Sequence, residues 1–157
     1  MKLVLLVVGK TDSAIISSLT DDYIKKINFY IPFEIKIVQD LKKRIKVSKK
    51  EQKTLEAESI LKNIQSSDFV VLLDEKGKEY RSKDFAQFIE NKMIRVTKQL
   101  VFVIGGPYGF SEEIKKNADE MLSLSKMTFT HQMIRLLFTE QVYRAMTILN
   151  NDPYHHE

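Results

Sequence analysis

The chain contains no cysteine. Disulfides, zinc–thiolate sites and cysteine nucleophiles are therefore excluded, and any metal site would have to rest on His, Asp and Glu. A long hydrophobic run is missing too: the longest, Leu3 to Val8, is far too short to cross a bilayer. It starts directly after Lys2, ends at Gly9 and has no small-residue cleavage site, so it reads as a first strand and not a signal peptide. The expected location is the cytoplasm, without a membrane partner. Proline is scarce, at three in 157 residues, and neither an internal repeat nor a low-complexity linker is visible. Residues 1–157 are expected to form one domain.

Charge of one sign is also in short supply. A formal net charge of +4 permits a polyanionic partner without demanding one. Its distribution is uneven: Lys42, Lys43, Arg44, Lys46, Lys49, Lys50 and Lys53 crowd one stretch, opposed there only by Glu51. Such a run is either solvated surface or a set of phosphate contacts, which supply much of nucleic-acid affinity. It lacks the interleaved aromatics of a single-strand stacking platform.

What the chain does have is an alternation of strand and helix patterns, pointing to an α/β fold with a mainly parallel sheet flanked by helices. Lys2 to Val8 is a continuous apolar strand, and Phe33 to Val38 alternates apolar with charged residues as a strand with one wetter face. Thr11 to Asn28 carries Ile15, Ile16, Leu19, Tyr23 and Ile27 at helical spacing. Residues 39–50 form a polar connection, followed by a helix over Lys50 to Ile64. Phe69 to Leu73 is a buried strand, Ser82 caps a helix through about Met93, and Leu100 to Ile104 is a buried strand. Ser111 caps a short helix with Glu112 and Glu113 in its first turn. Met121 to Leu124 is the last strand and His131 to Leu149 the last helix.

Four stretches could carry chemistry. Gly105-Gly106-Pro107-Tyr108-Gly109 directly follows a buried strand and holds three of the five glycines. Glycine permits close approach of backbone to a ligand, and parallel sheets bind ligands outside the carboxyl ends of their strands. A tight turn without a ligand fits the same residues, and the pattern is neither a dinucleotide fingerprint nor a P-loop. Leu72-Leu73-Asp74-Glu75-Lys76-Gly77 lies at another strand end, either a solvated turn or part of the same site. Leu124 to Phe129 links the last strand to the last helix, with Thr130 as its N-cap and His131 in its first turn. The tail Pro153-Tyr154-His155-His156 concentrates two of the three histidines, and tails are more often disordered than functional.

In this order, the opening Met1-Lys2-Leu3, the Ile104–Gly109 turn, the segment from Leu124 to Arg135, Glu140-Gln141-Val142-Tyr143-Arg144-Ala145 and Pro153-Tyr154-His155 resemble the ribosomal RNA large subunit methyltransferases of the RlmH family. The resemblance spans the whole chain. It implies the SPOUT class of α/β-knot fold, with a carboxyl-terminal trefoil knot. It also implies a homodimer that acts on ribosomes and transfers a methyl group from S-adenosylmethionine to N3 of a pseudouridine in 23S ribosomal RNA. Leu73, Gly105, Leu124, Ser125, Lys126, Met127, Thr128 and Phe129 match the cofactor-contacting positions of that family.

No metal is expected, because the sulfonium already activates the methyl group. The accepting nitrogen must shed a proton, for which His155 and Tyr154 are the candidates. Arg144 and Arg135 are candidates for holding phosphate or developing negative charge; structural ion pairs are the alternative for both. His131 and His156 are expected on the substrate side. Many relatives carry Arg or Lys where His156 stands, so the tail here lacks a permanent cation. The last helix is apolar on more than one face, which fits deep burial or a partner subunit. Rival readings are a non-catalytic RNA-binding module, a doubly wound nucleotide-binding enzyme, and a SPOUT enzyme acting on transfer RNA or on a ribose hydroxyl.

Overall fold

The computed structural model describes residues 1–39, 47–95 and 98–156. Lys42, Lys43, Arg44 and Lys46 of the basic run lie outside the described residues. Along the described chain the elements are β1 (Lys2–Val8), α1 (Ala14–Ile27), β2 (Phe33–Val38), α2 (Lys49–Leu61), β3 (Phe69–Glu79), α3 (Ser82–Arg95), β4 (Gln99–Ile104), α4 (Glu112–Lys116), β5 (Glu120–Ser123) and α5 (His131–Leu149).

The strands form one sheet in the order β2-β1-β4-β3-β5, each neighbouring pair parallel. This is the α/β arrangement that the alternating pattern predicts. Because the strands run the same way, their carboxyl ends share one edge. Both sheet faces are covered, as parallel sheets require. Leu3, Leu5 and Val7 of β1 point to the face where α1, α3 and α5 supply Ile27, Phe85, Ile89, Phe138, Val142 and Met146. Val4, Leu6 and Val8 point to the other face, closed by Ala57 and Ile60 of α2 and Ile114 of α4. The period-two alternation of β1 is thus divided between two cores, which is why the strand reads as continuously apolar.

Local signals set the helix ends. Ser13, Ser111 and Thr130 accept from the backbone N–H three residues on, at 3.4, 3.3 and 3.3 Å. Ser48 and Glu51 form a reciprocal capping box, so α2 begins at Lys49. Ser82 is the first residue of α3 rather than its cap, and its hydroxyl donates to Gln141 on α5 at 3.4 Å. The larger departure is β3. Asp74 to Gly77 is not the turn that its charge suggests: the strand resumes and runs to Glu79, with a register shift against β5 between Leu73 and Lys78. Gly77 makes this possible, since a Cβ there would sit 2.5 Å from the backbone of Leu122.

Candidate functional site

Three strand ends meet at the carboxyl edge of the sheet. Leu73 of β3 pairs across the ladder with Ile104 of β4 on one side and Leu122 of β5 on the other. Gly105 is thus one residue beyond, and Leu124 two residues beyond, the direct neighbours of Leu73. Leu73 and Leu124 pack against the same core, beneath α3 and α5.

The backbone at Gly105 and Gly106 passes through a narrow space. A Cβ on Gly105 would meet the Phe110 ring at 3.0 Å, and one on Gly106 would collide with the Glu56 carboxylate. Glu56 is buried and accepts a hydrogen bond from Gln52 at 2.7 Å. Glycine is required here because a buried side chain from α2 occupies the room a larger residue would take. Neither Glu56 nor Gln52 stands out in the sequence: α2 carries several acids among its polar residues, and nothing in its spacing marks which of them turns inward.

The Leu124–Phe129 loop is held by its own hydroxyls. Ser123 donates to the Ser125 carbonyl at 2.9 Å, and the Ser125 hydroxyl accepts from Met127 N–H at 3.0 Å. Lys126 reaches Glu79 at 3.9 Å. Beneath this loop lies a cavity of about 230 Å³ lined by Tyr80, Phe85, Leu122, Ser123, Leu124, Phe129, Leu137 and Gln141. It is mostly apolar, with hydroxyl and amide groups at its margin, and its size suits one planar base more than a whole nucleotide. Of the sequence-predicted cofactor positions, Leu124 and Phe129 line it directly. Lys126, Met127 and Thr128 are exposed above.

The tail is folded down, not loose. Asn151 takes a left-handed conformation (φ 56°) just after α5, turning the chain back over α1 and α5. Tyr30 donates to Asp152 at 2.5 Å. Tyr154 donates to Glu140 at 3.1 Å and lies 3.4 Å from the Tyr23 hydroxyl. Its ring packs against Tyr143, centroids 4.7 Å apart, and under the Arg144 guanidinium at 4.8 Å. Arg144 pairs with Glu140 at 2.5 Å, one helical turn away, and its Nη1 lies 3.4 Å from His155 Nδ1.

These contacts sort the tail residues chemically. A guanidinium only donates, so in this contact His155 Nδ1 can act only as acceptor. Burial, with help from Tyr23 and the Glu140 charge, pushes the Tyr154 phenol above its ordinary range, so it stays protonated at neutral pH. Tyr30 is pushed up to about 12, chiefly by its bond to Asp152. Glu140 organises the cluster, receiving both Arg144 and Tyr154, while its other oxygen accepts from Gln141 at 2.6 Å. Gln141 also lines the cavity, so a short polar chain links cavity and tail. The Glu140–Arg144 spacing of four on a helix was the signal available for this pair.

Arg135, a candidate for holding phosphate or developing charge with a structural role as the alternative, is 2 % exposed and turned inward. It donates to the Val8 carbonyl at 2.6 Å and the Thr11 hydroxyl at 3.1 Å, tying α5 to the end of β1. Burial lowers its pKa, with Asp12 opposing. Its role is to hold that loop, alongside the bond from Ser13 N–H to Gln132 at 2.9 Å. His131 and His156 are exposed. Among the described residues no three His, Asp or Glu side chains group as a metal site, and no helix is long and apolar enough to cross a membrane.

Residues 1–155 match the family described as "Predicted SPOUT methyltransferase". The chain is 55 % identical over 157 residues, the whole of both proteins, to "Ribosomal RNA large subunit methyltransferase H" of Parabacteroides distasonis. It is 53 % identical, again over the whole of both, to the protein of that name from Porphyromonas gingivalis. Among solved structures it is similar to the tRNA (m1G37) methyltransferase from Aquifex aeolicus, with a TM-score of 0.58 and 16 % identity, covering 100 % of this chain and 76 % of that one. At that identity the likeness speaks to fold alone.

Proposed function

The chain belongs to the SPOUT methyltransferase family, and from that premise we propose that it methylates ribosomal RNA of the large subunit, at N3 of a pseudouridine, with S-adenosylmethionine as donor. The observation that carries this reading is the full-length likeness, at more than half identity, to proteins named for that activity. The residues here suit the donor. The cavity under the Leu124–Phe129 loop accepts a planar base, and Gly105 follows β4, the strand beside β3, at the same edge of the sheet. Leu73, Gly105 and Leu124 to Phe129 are the residues that would hold the cofactor. Its sulfonium, once bound, supplies an already electrophilic methyl group.

The chain's own residues then have two tasks, to seat the acceptor base and to manage its proton. Tyr154 stays protonated and so serves as a brace. Arg144, neutralised by Glu140, orients His155 more than it offers free charge. His155 is left as the proton-handling group; it takes a proton through Nδ1 once the Arg144 contact opens. His131 and His156 lie on the RNA side. The whole chain acts as one domain, carries the trefoil knot of its class, and works as a homodimer on ribosomes. A module that only bound RNA would not need this cavity at the carboxyl edge of the sheet.

The test is methyl transfer from labelled S-adenosylmethionine to ribosomes that lack the modification, with the product nucleoside identified by mass spectrometry, alongside calorimetry with the cofactor. Methylated pseudouridine and saturable binding near one site per chain are expected. Folded protein that binds no cofactor at millimolar concentration overturns the reading.

A further inference from the structure

We propose that Tyr108 and Lys49 form a stacking and phosphate contact for an unpaired RNA nucleotide at the rim of the cofactor site. This rests on the RNA-methylating function proposed above and names the surface that meets the RNA. Tyr108 stands at the tip of the turn after β4, three residues past Gly105. The turn is closed by the bond from Gly109 N–H to the Gly106 carbonyl at 3.1 Å, and Gly109 has φ 72°. Among the described residues, its chain neighbours aside, no atom lies within 4 Å of where a Gly109 side chain would begin. Tyr108 is 38 % exposed and Lys49 Nζ lies 5.5 Å from its ring centroid.

This pairing is fixed from below. Lys49, Gln52 and Glu56 recur on one stripe of α2. Glu56 is buried against Gly106, and Gln52 is bonded to Glu56. The stripe therefore registers Lys49 over the turn that carries Tyr108. The acid nearest in sequence is already engaged, since Glu51 is turned back to accept from Ser48 N–H at 2.8 Å. Lys50 is exposed beside Lys49, and Lys10 is exposed at the neighbouring end of β1, whose Val7 pairs with Ile104.

The basic run by itself has no aromatic to stack a base. The fold supplies one from a segment some sixty positions away in sequence. A part-exposed π-face beside cations is what single-stranded RNA uses: stacking on the ring and phosphate neutralisation next to it.

The experiment compares the wild type with Tyr108→Ala, Tyr108→Phe and Lys49→Gln, using ribosomes lacking the modification. It reads KM for ribosomes, equilibrium ribosome binding against salt, and the cofactor Kd by calorimetry. Tyr108→Ala is expected to raise KM and the ribosome Kd about ten-fold while the cofactor Kd holds, and Tyr108→Phe to stay within about two-fold of wild type. Lys49→Gln is expected to reduce the salt slope by about one. Unchanged ribosome binding in Tyr108→Ala overturns the proposal, as does an equal loss of cofactor affinity. If the wild type transfers no methyl group, the proposed activity falls, and ribosome binding by the four proteins still decides whether this surface meets RNA.

Discussion

The tail is held by Tyr154 on Glu140, His155 on Arg144 and Tyr30 on Asp152, and two of these contacts give predictions. His155 reaches Arg144 only through Nδ1, so its loss removes a proton acceptor without touching the cavity. His155→Ala is expected to lower turnover roughly a hundred-fold with the cofactor Kd nearly unchanged; single-turnover methyl transfer and calorimetry read the two separately, and wild-type turnover removes His155 from the mechanism. Tyr30 supplies the second. Its pKa is raised to about 12 by the bond to Asp152, against an ordinary value near 10. The folded state therefore holds this proton more tightly than the unfolded one. The stabilisation is complete below about pH 10 and fades as pH climbs toward 12. Tail release, followed by proteolysis or by the Tyr30 ultraviolet signal, should rise through that window and be present at neutral pH in Tyr30→Phe. The chemistry of these residues was legible as residue types at a chain end. Their partners were not, because Tyr23 and Tyr30 reach the tail only once α1 lies against α5. Arg135 shows the same limit from the other side: helical spacing places it on α5 but does not say that the β1 end will lie beneath it.

Among the elements, β1, β2 and α5 were readable to the residue, because a fully buried parallel strand, a half-buried strand and a capped amphipathic helix each leave a distinct pattern. The second half of β3 was not. Asp74, Glu75 and Lys76 read as a solvated turn, yet β5 is an edge strand with room for an irregular neighbour. The pairing is recovered at Lys78 because Gly77 presents no side chain to the Leu122 backbone. Gly77→Ala should force β3 and β5 apart and cost about 3 kcal/mol, the upper end for overpacking, measured by chemical denaturation. The Leu124–Phe129 loop leaves β5 directly, so cofactor affinity should fall in the same variant. A variant as stable as wild type would show that the strand pair yields at no cost. The meeting of the strand ends was legible for a related reason: in a parallel sheet all carboxyl ends share one edge, so the glycines after β4 and the hydroxyls after β5 lie along it without any contact being known.

At the scale of the whole molecule, the apolar surface of α5 is largely consumed within the chain. It lies between α1 and α3, with Phe138, Val142 and Met146 fully covered, so its two-faced pattern does not by itself require a partner. What remains uncovered is a narrower stripe. Ile15 and Leu19, one turn apart on α1, are 75 % and 46 % exposed, and Met133 on α5 is also exposed. The bond between Ser13 and Gln132 brings the starts of those two helices together, so the three side chains belong to one region. A two-fold dimer places each such stripe against its own copy, which removes apolar area from water at about 25 cal/mol per Å². Leu19→Glu then sets two carboxylates near the symmetry axis and should shift the protein from twice the chain mass to the chain mass in sedimentation equilibrium, with the fold intact by circular dichroism. A Leu19→Glu protein that remains dimeric moves the interface off α1. A wild type that stays monomeric at every concentration removes the dimer altogether, and would leave Ile15 and Leu19 as a contact for the ribosome instead.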